Sequence, residues 1–306
     1  MQSTEDKLVK SGFARKYENA YKMNNHFKRI GLLKKVITYI ILSIIAIYSV
    51  FPVYYVFITS LSPLATLTEA SLSSLLPIHG GLTLSNYYNL LFKEPFLTCL
   101  KNTLIFSFSA TAIGVGLSIT TGIAFSRFNV PAKKALLYML LVLSMFPFTV
   151  LVIPFYFMFA QFHLLDTYIG LIIPYSAGAV IFASWLIKNY VDNIPKDYEQ
   201  AAMLDGYTRT GALFRVLAPI AKPAIMLTIV LAFMGPYTDF ALANLFITSK
   251  GLYTMAIGMY LVSENTISIQ FGVYSAFAVL MGIPIFILFF FFQKYIVSGF
   301  SLVTYR

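Results

Sequence analysis

The chain is predicted to be an all-α polytopic membrane protein with six transmembrane helices and both termini in the cytoplasm. Three observations lead there. Hydrophobic residues fill 58% of its 306 positions and charged residues only 11%, with a mean hydropathy of +0.77, a composition foreign to soluble globular domains. Six apolar stretches, at 36–57, 100–125, 135–159, 168–187, 225–247 and 274–292, approach or exceed the roughly 20 residues with which a helix crosses about 30 Å of hydrocarbon. Nineteen of the 22 Lys and Arg residues lie in the N-terminal segment, the second and fourth loops and the tail, against Lys93, Lys101 and Lys250 on the other side. Positive charge stays on the cytoplasmic face, which sets the orientation. Backbone groups in lipid must be satisfied internally, and a helix does so; the alternating pattern of a barrel strand is not seen.

Taken in order, residues 1–35 form a basic cytoplasmic segment with nine of the cations. They suit anionic lipid headgroups, so the net charge of +10 reflects topology and membrane lipid, with no nucleic acid implied. The first apolar run starts late and is long enough to stay as an anchor, so no cleavable signal is expected. Residues 36–98 comprise the first span and a long outer loop, where Pro63, Pro77, Gly80, Gly81 and Asn86 mark turns around a short amphipathic helix near 84–92. Residues 99–297 hold the remaining five spans, and 298–306 form a cytoplasmic tail. Cys99 is the lone cysteine, which excludes an internal disulfide and a cysteine metal cluster. Tyr54, Tyr55, Tyr168 and Tyr295 sit near span ends, as interfacial aromatics do.

The stretch 195–219 is a polar, helix-compatible island in the fourth loop. Pro195 suits a first helical turn, where its missing N–H has no intrahelical partner. Asp197 and Glu199 follow, where negative charge meets the positive end of the helix dipole. Asp205 and Gly206 stop that helix, because glycine takes the left-handed turn that a side chain resists. Thr208 caps a second short helix running to Pro219. Two helices bent at a glycine, with Ala201 and Ala202 near the bend, make a compact knob.

The fifth span carries Gly235, Pro236, Tyr237, Thr238 and Asp239, expected to interrupt it near the middle. Asp239 is the one carboxylate placed inside a span. A charge there costs about 2.5–3.5 kcal/mol on insertion scales, so it should face protein or water. It is either part of a translocation path or gate, with Gly235, Pro236, Tyr237 and Asn244 as the further candidates, or a structural carboxylate bonded to a neighbouring helix. Thr248, Ser249, Lys250 and Gly251 form the tip of the next outer loop.

These residues carry a resemblance. Gln200-Ala201-Ala202, three residues, Gly206, nine residues and Val216-Leu217-Ala218-Pro219 resemble the EAA loop of ABC-importer permeases. Gln200 stands where the family has Glu, with Glu199 one position earlier, and Ala218 replaces a Leu. Residues 243–259 are similar to the smaller permease of maltose/maltodextrin importers, as is the ending 293–299; the last residues depart from the family's small, glycine-rich finish. The resemblance implies a core of five spans plus an added first helix. It implies an ATPase subunit dimer that receives the knob through Glu199, Gln200, Ala201, Ala202, Asp205, Gly206 and Pro219. A second homologous permease is implied, together with an extracytoplasmic sugar-binding protein touched by the loop 248–251. ATP and Mg then belong to the ATPase, with no cofactor in this chain.

Chemistry of its own is not expected of the chain. It has no Gly-x-x-x-x-Gly-Lys-Ser/Thr phosphate cradle and no His-Glu-x-x-His, and His26, His79 and His163 lack ligand spacing. The expected function is therefore transport of an oligosaccharide by alternating access. Glycerol phosphate would favour cations along the path and a polyamine several acids; the spans offer no central cation and one acid. A secondary transporter working without an ATPase is the remaining alternative.

Overall fold

The computed structural model describes residues 34–63, 81–264 and 271–301. Most of the basic N-terminal segment, Pro77 and Gly80 of the outer loop, and the end of the tail lie outside the described residues. Among the described residues the only regular secondary structure is helical. Helix α1 spans Lys34–Ser60; up to Val56 it forms a unit of its own, with apolar side chains such as Ile47, 70% exposed. That is the surface expected of a helix meant for lipid rather than water.

The second unit starts at Phe57. Helix α2 (Ser85–Phe92) and helix α3 (Phe96–Arg127) come first. Helices α4 (Lys133–Met145), α5 (Phe148–Gln161) and α6 (Tyr168–Asp192) follow. Then come α7 (Asp197–Leu204), the helical run α8 (Arg209–Ile220) and α9 (Lys222–Thr238). The chain closes with α10 (Ala241–Phe246), α11 (Met255–Glu264) and α12 (Phe271–Ser301). Helices α1, α3, α6 and α12 are each long and apolar enough to cross a membrane, and two bent pairs, α4 with α5 and α8 with α9, raise that to six if each pair is one span.

Two expected spans are broken. The stretch 135–159 divides at Phe146 and Pro147, both extended. A proline disfavours helical backbone in the residue before it and offers no N–H of its own, so α4 ends there. The stretch 225–247 divides later than expected. Pro236 lies inside α9, and the helix ends only at Thr238, with Asp239 extended at φ −70° and ψ 130°. The proline removes one hydrogen bond without ending the helix, and Asp239 N still donates to Gly235 O at 3.1 Å.

Helix α3 is the hub, packing on α6 and α9. Its buried face carries Ser107, Ala110, Thr111, Gly114, Ser118 and Gly122, small side chains at helical spacing that let backbones approach. A Cβ at Gly114 would sit 2.7 Å from Ala179 Cβ, so nothing larger fits unmoved. Three apolar clusters stack around this hub. One joins Phe106, Leu171, Tyr175, Leu242 and Phe246, and another joins Cys99, Leu90, Met255 and Phe277. The third joins Ile123, Ile187, Val191, Leu213 and Leu217, directly beneath α7 and α8.

Candidate functional site

The knob begins at Asp197, two residues beyond Pro195. Lys196 is the N-cap, and its carbonyl accepts from Glu199 N and Gln200 N, both at 3.1 Å. Asp197 and Glu199 occupy the first turn. The helix closes in a Schellman arrangement: Tyr207 N donates to Ala202 O and Gly206 N to Met203 O, both at 3.1 Å. Gly206 is left-handed, at φ +90°. Thr208 is extended and its Oγ1 accepts from Gly211 N at 3.1 Å, capping α8. That helix runs past Pro219 to Ile220, one residue beyond the expected stop, with a π turn at Leu213–Leu217. A wider turn ahead of a proline relieves its clash with the carbonyl one turn back.

The two alanines of the motif part company. Ala202 is buried against the body of the chain, whereas Ala201, Gln200, Asp205 and Pro219 are exposed. Leu204 is 89% exposed, flanked by exposed Tyr198, Met203 and Tyr207. Glu199 turns inward and forms an ion pair with Arg127 Nε, both side chains largely buried. Sequence reasoning missed Arg127 as a partner; its one signal was a cation placed just after the apolar stretch 100–125.

Helices α6 and α9 enclose a cavity of about 630 Å³. Gly235, Pro236 and Asp239 line it with Tyr175, Phe182 and Phe240, and Asp239 is its charged lining residue. Tyr175 donates to Asp239 Oδ2 at 2.8 Å. The same oxygen accepts from Leu242 N at 3.1 Å and Ala243 N at 3.2 Å, so the carboxylate caps α10 where backbone N–H groups lack helical partners. Two of the path candidates lie elsewhere. Tyr237 is 1% exposed and donates to Met281 O at 2.8 Å, and Asn244 is an exposed residue of α10 outside the lining set.

The loop 248–251 is pinned at both ends. Asp166, itself left-handed at φ 57°, accepts from Thr248 N at 3.0 Å and Ser249 N at 2.9 Å, and from Ser249 Oγ. Its own N–H returns a bond to Phe246 O at 2.8 Å. Partial burial pushes its carboxyl up, but the bonds from Ser249 and Thr248 outweigh this and hold it below its ordinary value. On the other side Asn102 Nδ2 donates to Gly251 O at 2.8 Å and Tyr253 O at 3.1 Å, while Tyr168 OH donates to Asn102 Oδ1 at 2.7 Å. Lys250 and Gly251 lie in a 3-10 turn between these clips. Neither Asp166 nor Asn102 was singled out from sequence, because their partners lie about 80 and 150 residues away.

Residues 112–301 match the profile of the family described as binding-protein-dependent transport system inner membrane component. The maltodextrin transport system permease protein MalD of Streptococcus pneumoniae is 31% identical over 218 residues, 71% of this chain and 78% of that protein. The trehalose/maltose transport system permease protein MalG of Thermococcus litoralis is 33% identical over 220 residues, 71% of this chain and 79% of that protein. Among solved structures, a chain of a bacterial ABC transporter involved in the import of the acidic polysaccharide alginate superimposes with a TM-score of 0.74, covering 86% of this chain and 96% of that chain. Its identity is 21%, so that likeness is one of fold.

Proposed function

We propose that this chain, which belongs to the family of binding-protein-dependent transport system inner membrane components, is the multi-pass permease subunit of an ATP-driven oligosaccharide importer. The observation that carries the mechanism is the protrusion α7–α8, a capped, glycine-bent pair of helices with apolar Leu204 turned outward. Its exposed residues Gln200, Ala201, Asp205 and Gly206 meet a separate ATPase dimer, where ATP and Mg are bound and hydrolysed. The relatives named for maltodextrin and for trehalose/maltose support a cargo of that class.

In this reading six spans cross the membrane with both termini in the cytoplasm, α4 with α5 and α9 with α10 each serving as one broken span. The domain limits stay at 1–35, 36–98, 99–297 and 298–306. A second permease chain faces the cavity between α6 and α9, and an extracytoplasmic sugar-binding protein meets the loop 248–251. ATP binding closes the ATPase dimer, moves the knob and swings the spans to the outward-open state. A neutral sugar suits the cavity better than a phosphate ester, since its charged lining residue is an acid, and a like charge would be repelled.

Uptake of radiolabelled maltotriose into proteoliposomes tests this. The complete complex with ATP inside the ATPase compartment should accumulate sugar, and omission of the ATPase or of the binding protein should abolish it. Accumulation without the ATPase, abolished by an uncoupler, would favour the secondary transporter instead.

A further inference from the structure

We propose that Arg127 is a positioning residue for energy coupling, tying the protrusion to α3 through its ion pair with Glu199. This rests on the reading of the protrusion as the part that meets the ATPase. Helices α6 and α9 are joined to the protrusion through the chain and must follow it. Helix α3 lies 72 residues away from Glu199 in sequence and can follow only through contact.

The polar part of that contact lies in three consecutive residues at the end of α3. Ser126 Oγ donates to Asp192 Oδ1 at 2.6 Å, at the end of α6. Arg127 Nη2 donates to Ile194 O at 2.7 Å in the α6–α7 connection, and its Nε pairs with Glu199 in α7. The Phe128 ring lies 4.5 Å from the guanidinium of Arg209, which opens α8. Lys188 Nζ holds the far side of Asp192 at 2.7 Å. One strand of side chains thus ties α3 to every segment of the protrusion, above the apolar cluster of Ile123, Val191, Leu213 and Leu217.

Burial decides what this arrangement does. The Arg127 side chain is 4% exposed and that of Glu199 12%. A guanidinium so enclosed cannot exchange its carboxylate for water without a large desolvation cost, and removing one partner strands the other. The pair therefore stays closed as the protrusion moves. It also consumes the acid nearest the motif, while the neighbouring exposed position is the neutral Gln200. Glu199 is thus held inside the subunit, and the next position offered to the ATPase is the amide of Gln200.

The test uses the whole complex in proteoliposomes, reading hydrolysis with and without the binding protein carrying maltotriose, and ATP consumed per maltotriose imported. Glu199→Gln and Arg127→Glu should each lower the ratio of stimulated to basal hydrolysis by about tenfold, within the ordinary range of coupling free energies. The reciprocal exchange, Arg127→Glu with Glu199→Arg, should restore most of that ratio. Glu199→Gln is nearly isosteric and carries the test if Arg127→Glu does not insert. A ratio unchanged in Glu199→Gln, with uptake falling only as the amount of assembled complex falls, overturns the proposal. Gly206→Val in parallel separates the two levels. If it abolishes stimulation while Glu199→Gln is normal, this proposal alone fails; if both are normal, the reading of the protrusion fails with it.

Discussion

Tyr175 of α6 donates its hydroxyl to Asp239 across 2.8 Å, and the same carboxylate oxygen caps the next helix through Leu242 N and Ala243 N. The single acid within the apolar spans is thereby a joint between α6, α9 and α10, placed on the wall of the cavity. The bond to a neighbouring helix that one reading of the sequence required is present; a part in the translocation path belongs to the proposed function.

Asp239→Ala should therefore destabilise the chain by about 1–3 kcal/mol, from a lost cap and an orphaned tyrosine hydroxyl. Asp239→Asn retains an acceptor oxygen and should cost less than about 1 kcal/mol. Thermal unfolding in detergent measures both. Equal losses in the two variants would mean that the charge, and not the cap, holds this joint.

Asp166 should act as a clip for the outer loop. Asp166→Gly removes the carboxylate while tolerating φ 57°, and should reduce binding-protein-stimulated hydrolysis by several-fold with basal hydrolysis intact. Deleting 248–251 should do the same more severely. A deletion that impairs assembly with the ATPase instead would refute the outer-loop assignment.

The pH dependence of that clip follows from its sign. The folded carboxyl lies below its ordinary value of 3.8, so its contribution is present above that value and lost only as pH falls through the lower folded one. Stimulated hydrolysis should show no Asp166-dependent step between about pH 5 and pH 8. A step in that window that vanishes in Asp166→Asn would contradict the depressed value.

At Gly206 the obstacle to substitution is backbone rather than space. Its φ is +90° and a Cβ there meets nothing within 4 Å. An alanine should cost roughly 1–2 kcal/mol, asparagine less and valine most. Uptake should rank Gly, Asn, Ala, Val, while immunoblots show comparable insertion; wild-type uptake by Gly206→Val would remove the knob from the mechanism.

At Gly114 the obstacle is space. Gly114→Ala puts a methyl 2.7 Å from Ala179 Cβ and 3.1 Å from Ser176 O, an overpacking worth about 1–3 kcal/mol. Adding Ala179→Gly should recover part of the loss in thermal unfolding. No recovery would show that the Ser176 carbonyl sets the closest approach of α3 and α6.

Much of this was legible in the chain because it depends on local rules. Apolar run length marked the long helices, and the Asp205-Gly206 stop appears as a Schellman turn with Thr208 capping the helix beyond it. Where a local rule competes with packing, sequence misjudged the detail. Pro236 looked like the break, yet α9 runs through it to Thr238, since one lost hydrogen bond is small beside the burial of Phe233 and Tyr237. Pro147, in contrast, breaks 135–159 outright, since it disfavours helical backbone at Phe146, which is extended.

What the amino-acid order alone determined is the class of molecule, the helical nature of its long apolar runs, and the start, stop and bend of the segment around Gly206. Those follow from hydrocarbon thickness, caps and dihedral preference, which act over a few neighbours. Only the tertiary structure decided that Glu199 faces Arg127, that Asp166 and Asn102 hold the loop 248–251, and that Asp239 joins three helices. Each of these brings together charges or donors from distant parts of the chain, a proximity that no single segment possesses.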